Sequence, residues 1–297
     1  PWSSVVFALV PLVAYAVARG IPELGRVGAL GAAFLASSTC LLTLPFDSAV
    51  PNTIGIALFA AALAIGIPAV SEGSRPGIVA TGVLVGGILA FYNEYLPLLV
   101  LAGGFAAIGW AVRRLRLRPR AGDFVRSAAR LLGRAGLVFA IAVIASPVAT
   151  ARTIDYVQVL LDVDYSSGFD RGLTATTVPG WLFGIIHLYE VPRVSLLSVE
   201  KRVIAFGVAG MLATLAAIGA FRLPTRARDW ALVGGTSSLV LAAWAQYRLD
   251  WNYGAHRSIV ALVPFAAVAL CAGLLGLRDG TRRYGPAGAA VTWAVIA

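Results

Sequence analysis

A few polar clusters in this 297-residue chain have the residue types and spacing to do chemistry. Glu94 stands in Tyr92-Asn93-Glu94-Tyr95, between two apolar runs. An ionisable group at membrane depth costs about 2.5–3.5 kcal/mol on insertion scales, so it calls for a function or a partner. Glu94 could act as an acid or base facing a cavity, or be a loop carboxylate among interfacial tyrosines. Asp47, in Leu44-Pro45-Phe46-Asp47-Ser48, is a second candidate catalytic carboxylate, and Asn52 behind it could cap the next helix. Asp162-Val163-Asp164 is a D-x-D triplet. Such a pair could hold a divalent cation that bridges to a phosphate, or simply belong to a solvated acidic loop. The fourth cluster, Asp250 to Arg257, gathers Tyr253, His256 and Arg257. An arginine fork suits a phosphate, so these three are candidate phosphate ligands. The same residues would also serve as an interfacial anchor.

The elements that must position these groups follow from composition. Hydrophobic residues make up 59% of the chain and charged residues 13%, with a net charge of +10. Soluble domains carry about 25% charged residues. The chain lacks the polar surface a soluble enzyme needs, it is too apolar for disorder, and two cysteines make no disulfide scaffold. Ten apolar runs are candidate spans: 3–18, 27–44, 52–70, 77–91, 95–112, 135–149, 203–221, 230–247, 258–277 and a truncated 287–297. Each is too long and too uniformly apolar for a barrel strand, so the spans are helices. The expected fold is therefore an all-α, polytopic transmembrane helical bundle of about ten spans. It forms a single domain over 1–297, with one long extracytoplasmic loop at 150–202.

Charge sets the expected orientation. Placing 19–26 in the cytoplasm and alternating sides puts 17 of the 24 basic residues inside. Residues 77–112 must then be a hairpin turning at Tyr92-Asn93-Glu94 and Pro97, because one long helix would carry the arginines of 113–134 outside. Those arginines read as topology determinants touching anionic lipid, with Arg126, Arg130 and Arg134 on one face of a surface helix. The basic residues lie between apolar runs, so nucleic acid is not an expected partner; membrane lipid is. Residues 174–191 of the long loop, with Trp181, Phe183, His187 and Tyr189, read as an interfacial helix. Cys40 and Cys271 read as small buried hydrophobes. Phosphate-loop, H-E-x-x-H, G-x-S-x-G and C-x-x-C motifs are absent from the sequence.

Three stretches together carry a family resemblance. They are Leu44-Pro45 ahead of the 52–70 helix; Gly82-x-x-x-Gly86-Gly87 through the hairpin to Arg113-Arg114; and Tyr253-Gly254-Ala255-His256-Arg257 with Pro264. Ser146-Pro147 before the long loop fits too. This layout resembles the integral-membrane glycosyltransferases of the C-type fold that use polyprenyl-phosphate sugars. The last stretch is similar to their late R-Y-x-x-x-x-x-P pattern, with Ser258 in place of the tyrosine. The resemblance implies transfer of a sugar from a polyprenyl-phosphate donor to an extracytoplasmic acceptor, in the plasma membrane of a bacterium. It also implies a carboxylate in the first outer loop, which would lie upstream of Pro1. Asp47, Glu94 and the Asp162/Asp164 pair would stand in for that carboxylate here, and the resemblance implies Arg257 as the donor-phosphate ligand.

Two other functions fit the same composition. A multi-pass secondary transporter suits the many glycines and few charges, and Arg278-Asp279-Gly280-Thr281-Arg282-Arg283 is similar to a cytoplasmic loop of major-facilitator carriers. The sequence has no internal repeat to support it, and the candidate polar groups cluster at helix ends rather than mid-membrane. A non-catalytic membrane scaffold is the third. The chain starts without Met and stops within an apolar run, so a fragment of a longer protein is expected.

Overall fold

A computed structural model describes residues 2–38, 49–162, 199–249 and 252–284. Every element among them is helical. In chain order these are α1 Trp2–Arg19, α2 Gly25–Ser38, α3 Ala49–Glu72, α4 Arg75–Phe91, a 3-10 turn Asn93–Tyr95, α5 Leu96–Arg116 and α6 Ala121–Ala145. Then come α7 Pro147–Asp162, α8 Val199–Arg222, α9 Thr225–Arg248, α10 Asn252–Val260 and α11 Val263–Tyr284.

Several of these helices cross a membrane by length and composition. Pro51–Glu72, Asn93–Arg116 and Ala121–Ala145 each suffice alone. Gly254–Val260 and Val263–Arg278, bent by 41° at their break, make a fourth together. The expected count of about ten is not reached among the described residues: Val6–Arg19, Arg75–Phe91 and Phe206–Arg222 are apolar but shorter. The outer surfaces agree with a lipid environment. Val100, Ile108, Phe139, Ile144, Val203 and Phe221 all face outward, and a surface so apolar is costly in water.

Three expectations are corrected. Residues 150–162 and 199–202, assigned to the long loop, lie in α7 and α8, so the helical pattern runs past both expected loop ends. Residues 163–198, including Trp181, Phe183, His187 and Tyr189, lie outside the described residues. Asn52 does not cap α3, which already begins at Ala49; it sits inside the first turns and is fully buried. The basic stretch 121–134 is not separate from the following span, since α6 runs through both.

The expected hairpin forms, with α4 ending at Phe91 and α5 starting at Leu96. At the other end of α4 the chain reverses through Gly73, whose φ of +86° suits a residue without Cβ. Ser74 then caps α4 by accepting from the Gly77 N–H at 3.4 Å. Gly82 and Gly86 of α4 let α6 approach until the space a side chain would need is filled by Ile141, Ala142 and Ala145. Gly219 of α8 and Gly273 of α11 do the same for their pair, each lying against the partner's backbone.

Helix α9 is the centre of the bundle, touching α3, α5, α8, α10 and α11. Much of its buried face is small, with Gly234, Gly235, Ser237, Ser238, Ala242 and Ala245 beside the larger Trp230, Val233 and Leu241. The two hydroxyls do not go unsatisfied. Ser237 donates to the Val233 carbonyl at 2.6 Å and Ser238 to that of Gly234 at 2.9 Å.

A column of aromatic rings runs through this core. Tyr92 packs on Tyr95 (centroids 5.2 Å apart), Tyr95 on Phe59 (6.1 Å), Phe59 on Phe265 (5.9 Å) and Phe265 on Trp230 (4.5 Å). Trp230 closes the column by donating its indole N–H to the Ala60 carbonyl at 2.9 Å. The column joins two unlike ends. At one, the end of α3, the end of α5 and the start of α9 meet through Arg113–Asp229 and Arg226–Glu72; this is the arginine-rich end. At the other, the starts of α3 and α5 and the last turn of α10 meet around Tyr92 and Tyr95; this is the tyrosine end.

Candidate functional site

The site is built where α4 stops. The backbone leaves helix at Tyr92, and the 3-10 turn that follows points Glu94 across the bundle to α10. There Arg257 donates from Nη1 to Glu94 Oε2. Tyr92 donates its hydroxyl to the same carboxylate oxygen at 2.9 Å. The Arg257 guanidinium lies over the Tyr92 ring, 5.1 Å from its centroid. Such a contact is worth about 0.5–2 kcal/mol, more when water is excluded. The Arg257 side chain is 11% exposed and that of Glu94 23%. A charge so far out of water needs a partner, and here each supplies one to the other.

Below this pair the site is fixed by a second polar contact. Tyr95, fully buried, donates its hydroxyl to Asn52 Oδ1 at 2.7 Å. Asn52 Nδ2 has no hydrogen-bond partner among the described residues. Leu98, Leu241, Gly254 and Ser258 complete a narrow crevice around Tyr92, Glu94, Tyr95 and Arg257. Its free interior admits about one water molecule. Ser258 is turned away to its own helix, donating to the Gly254 carbonyl at 2.8 Å.

Glu94 and Arg257, expected in different roles, are thus direct partners. His256 is buried on the same helix. Tyr253 lies in α10, but its side chain is outside the described residues, as are Asp47 and Asp164. Asp162 is the last residue of α7 and its side chain is likewise outside them. Among the described residues no three His, Cys, Asp or Glu side chains gather as a metal site. Cys271 is buried on α11, as a small hydrophobe would be. Sequence reasoning gave Tyr92 and Tyr95 only the role of an interfacial belt, and Asn52 that of a cap. Their i,i+3 spacing and the polar residue opening an apolar run were the available signals.

No protein family, curated protein or solved structure matches the chain.

Proposed function

We propose that the protein is a membrane glycosyltransferase that uses a polyprenyl-phosphate sugar, with the tyrosine end on the extracytoplasmic side. The observation that carries this reading is Arg257: a shielded guanidinium held over Tyr92 at the end opposite the arginine-rich one. The fuller layout of about ten spans, and the charge asymmetry that orients them, belong to the same reading. In the reaction an acceptor hydroxyl attacks the anomeric carbon, the bond from that carbon to the phosphate oxygen breaks, and polyprenyl phosphate leaves. Arg257 would stabilise the negative charge growing on the leaving phosphate. The hydroxyl proton needs a carboxylate. Glu94 is engaged by two donors, which leaves Asp47 as the base this reading favours. Asp162 and Asp164 would suit a divalent cation.

A secondary transporter is the second reading, supported by the bend between α10 and α11. Broken helices next to a charged pair are a feature of transport sites. One experiment separates the two. The protein is reconstituted in liposomes with polyprenyl-phosphate hexoses and pentoses, and sugar transfer to an added acceptor is followed beside uptake of free sugars. Transfer that falls at least about a hundredfold in Arg257→Ala supports the transferase. Uptake without transfer would replace it with the transporter.

A further inference from the structure

Glu94 is attached to the site differently from Arg257. Arg257 rises from a packed helix and rests on the Tyr92 ring. Glu94 sits in a three-residue turn on two methylenes, and its side chain is about twice as exposed. The Tyr92 hydroxyl and Arg257 Nη1 converge on a single oxygen, Glu94 Oε2. With that oxygen removed, two donors would still point at one place, and the ring beneath the guanidinium would still hold it there. A hydroxyl and a guanidinium around one point suit a phosphate oxygen. The crevice has no room for a phosphate beside the carboxylate.

We propose that Glu94 is a displaceable internal anion: it occupies the oxyanion position of Arg257 and Tyr92 when the site is empty, and a lipid phosphate takes that position by exchange. The inference rests on the reading of Arg257 as the lipid-phosphate ligand, and it makes Glu94 a competitor for that position in place of a base. A ligand with an anionic oxygen restores the ion pair that Arg257 gives up as the carboxylate leaves. After transfer the returning carboxylate competes with the product phosphate and promotes its release. Apparent affinity is lowered by the fraction of protein in the open state, so removing the competitor must tighten binding.

The test is binding of undecaprenyl phosphate to the full chain in lipid nanodiscs, read by thermal unfolding and by titration of intrinsic fluorescence. Glu94→Gln is expected to bind at least about tenfold tighter than wild type. Empty, it should melt earlier, and ligand should raise its melting temperature by more than in wild type. Glu94→Asp keeps the charge on a shorter stem and should give a smaller tightening; it decides the matter if Glu94→Gln does not fold. Arg257→Ala should not bind. Equal or weaker binding by the folded Glu94 variants, with binding still lost in Arg257→Ala, overturns the exchange while leaving the phosphate site intact. Absence of binding by wild type and by both Glu94 variants overturns both readings.

Discussion

The two ends of the bundle carry ion pairs of opposite character. At the arginine-rich end, Arg113 meets Asp229 at 2.7 Å with side chains 47% and 18% exposed, and Arg226 meets Glu72 at 2.7 Å with 76% and 52%. Arg134 there caps α3, donating to the Val70 and Ser71 carbonyls at 2.9 and 3.0 Å. The cations in the two ion pairs are exposed, and the contacts are multiple and replaceable. At the tyrosine end one pair is shielded, shares its oxygen with a hydroxyl and is stacked on a ring. Exposed pairs are worth about 0–1 kcal/mol, whereas breaking a buried one costs about 3–5 kcal/mol because a stranded charge remains. The first end therefore spreads its charge over several weak contacts, and the second concentrates it in one shielded pair.

The sharpest way to break this contrast is at Arg257. Arg257→Ala should cost about 2–4 kcal/mol of stability, a little under the fully buried range because Glu94 can turn partly to water. Thermal unfolding in detergent reads it, and a loss below about 0.5 kcal/mol would make this pair no different from those at the other end. Tyr95→Phe comes next. It removes the hydroxyl bonded to Asn52 and should cost about 1–3 kcal/mol by leaving a buried amide unsatisfied. Asn52→Leu in the same background should then add little, since both polar partners are gone; a full second loss would mean the two side chains act independently. The smallest effects belong to the arginine-rich end. Arg113→Ala and Arg226→Ala should each change stability by about 1 kcal/mol or less, and molar salt should erase the difference. A salt-resistant loss in either would mean that this end is built like the other.

Some of this was legible in the chain. The helical, membrane-embedded character came from 59% hydrophobic content and runs of apolar residues. The turn at Tyr92-Asn93-Glu94 was readable because polar residues and Pro97 interrupt an apolar stretch. The extent of α6 was not, because Arg126, Arg130 and Arg134 look like a surface segment until Arg134 is seen reaching the end of α3. Helix α9 was read only as a span, and its central place follows from small residues packing closely rather than from hydropathy. Asn52 looked like a cap because its position in the turn order suited one; burial and Tyr95 give it a different partner.

What the sequence determined by itself is a membrane-embedded helical chain with its cations concentrated in a few segments, because transfer from water to lipid is a sum over local residue types. What only tertiary structure decided is which ionisable groups meet. Glu94 and Arg257 are 163 residues apart. Each alone reads as an interfacial residue, and nothing in local composition pairs them. Their contact depends on how α9 brings α10 back to the α4–α5 turn, and that packing is set by the shapes of small side chains and aromatic rings at helix contacts. Hydropathy does not encode those shapes.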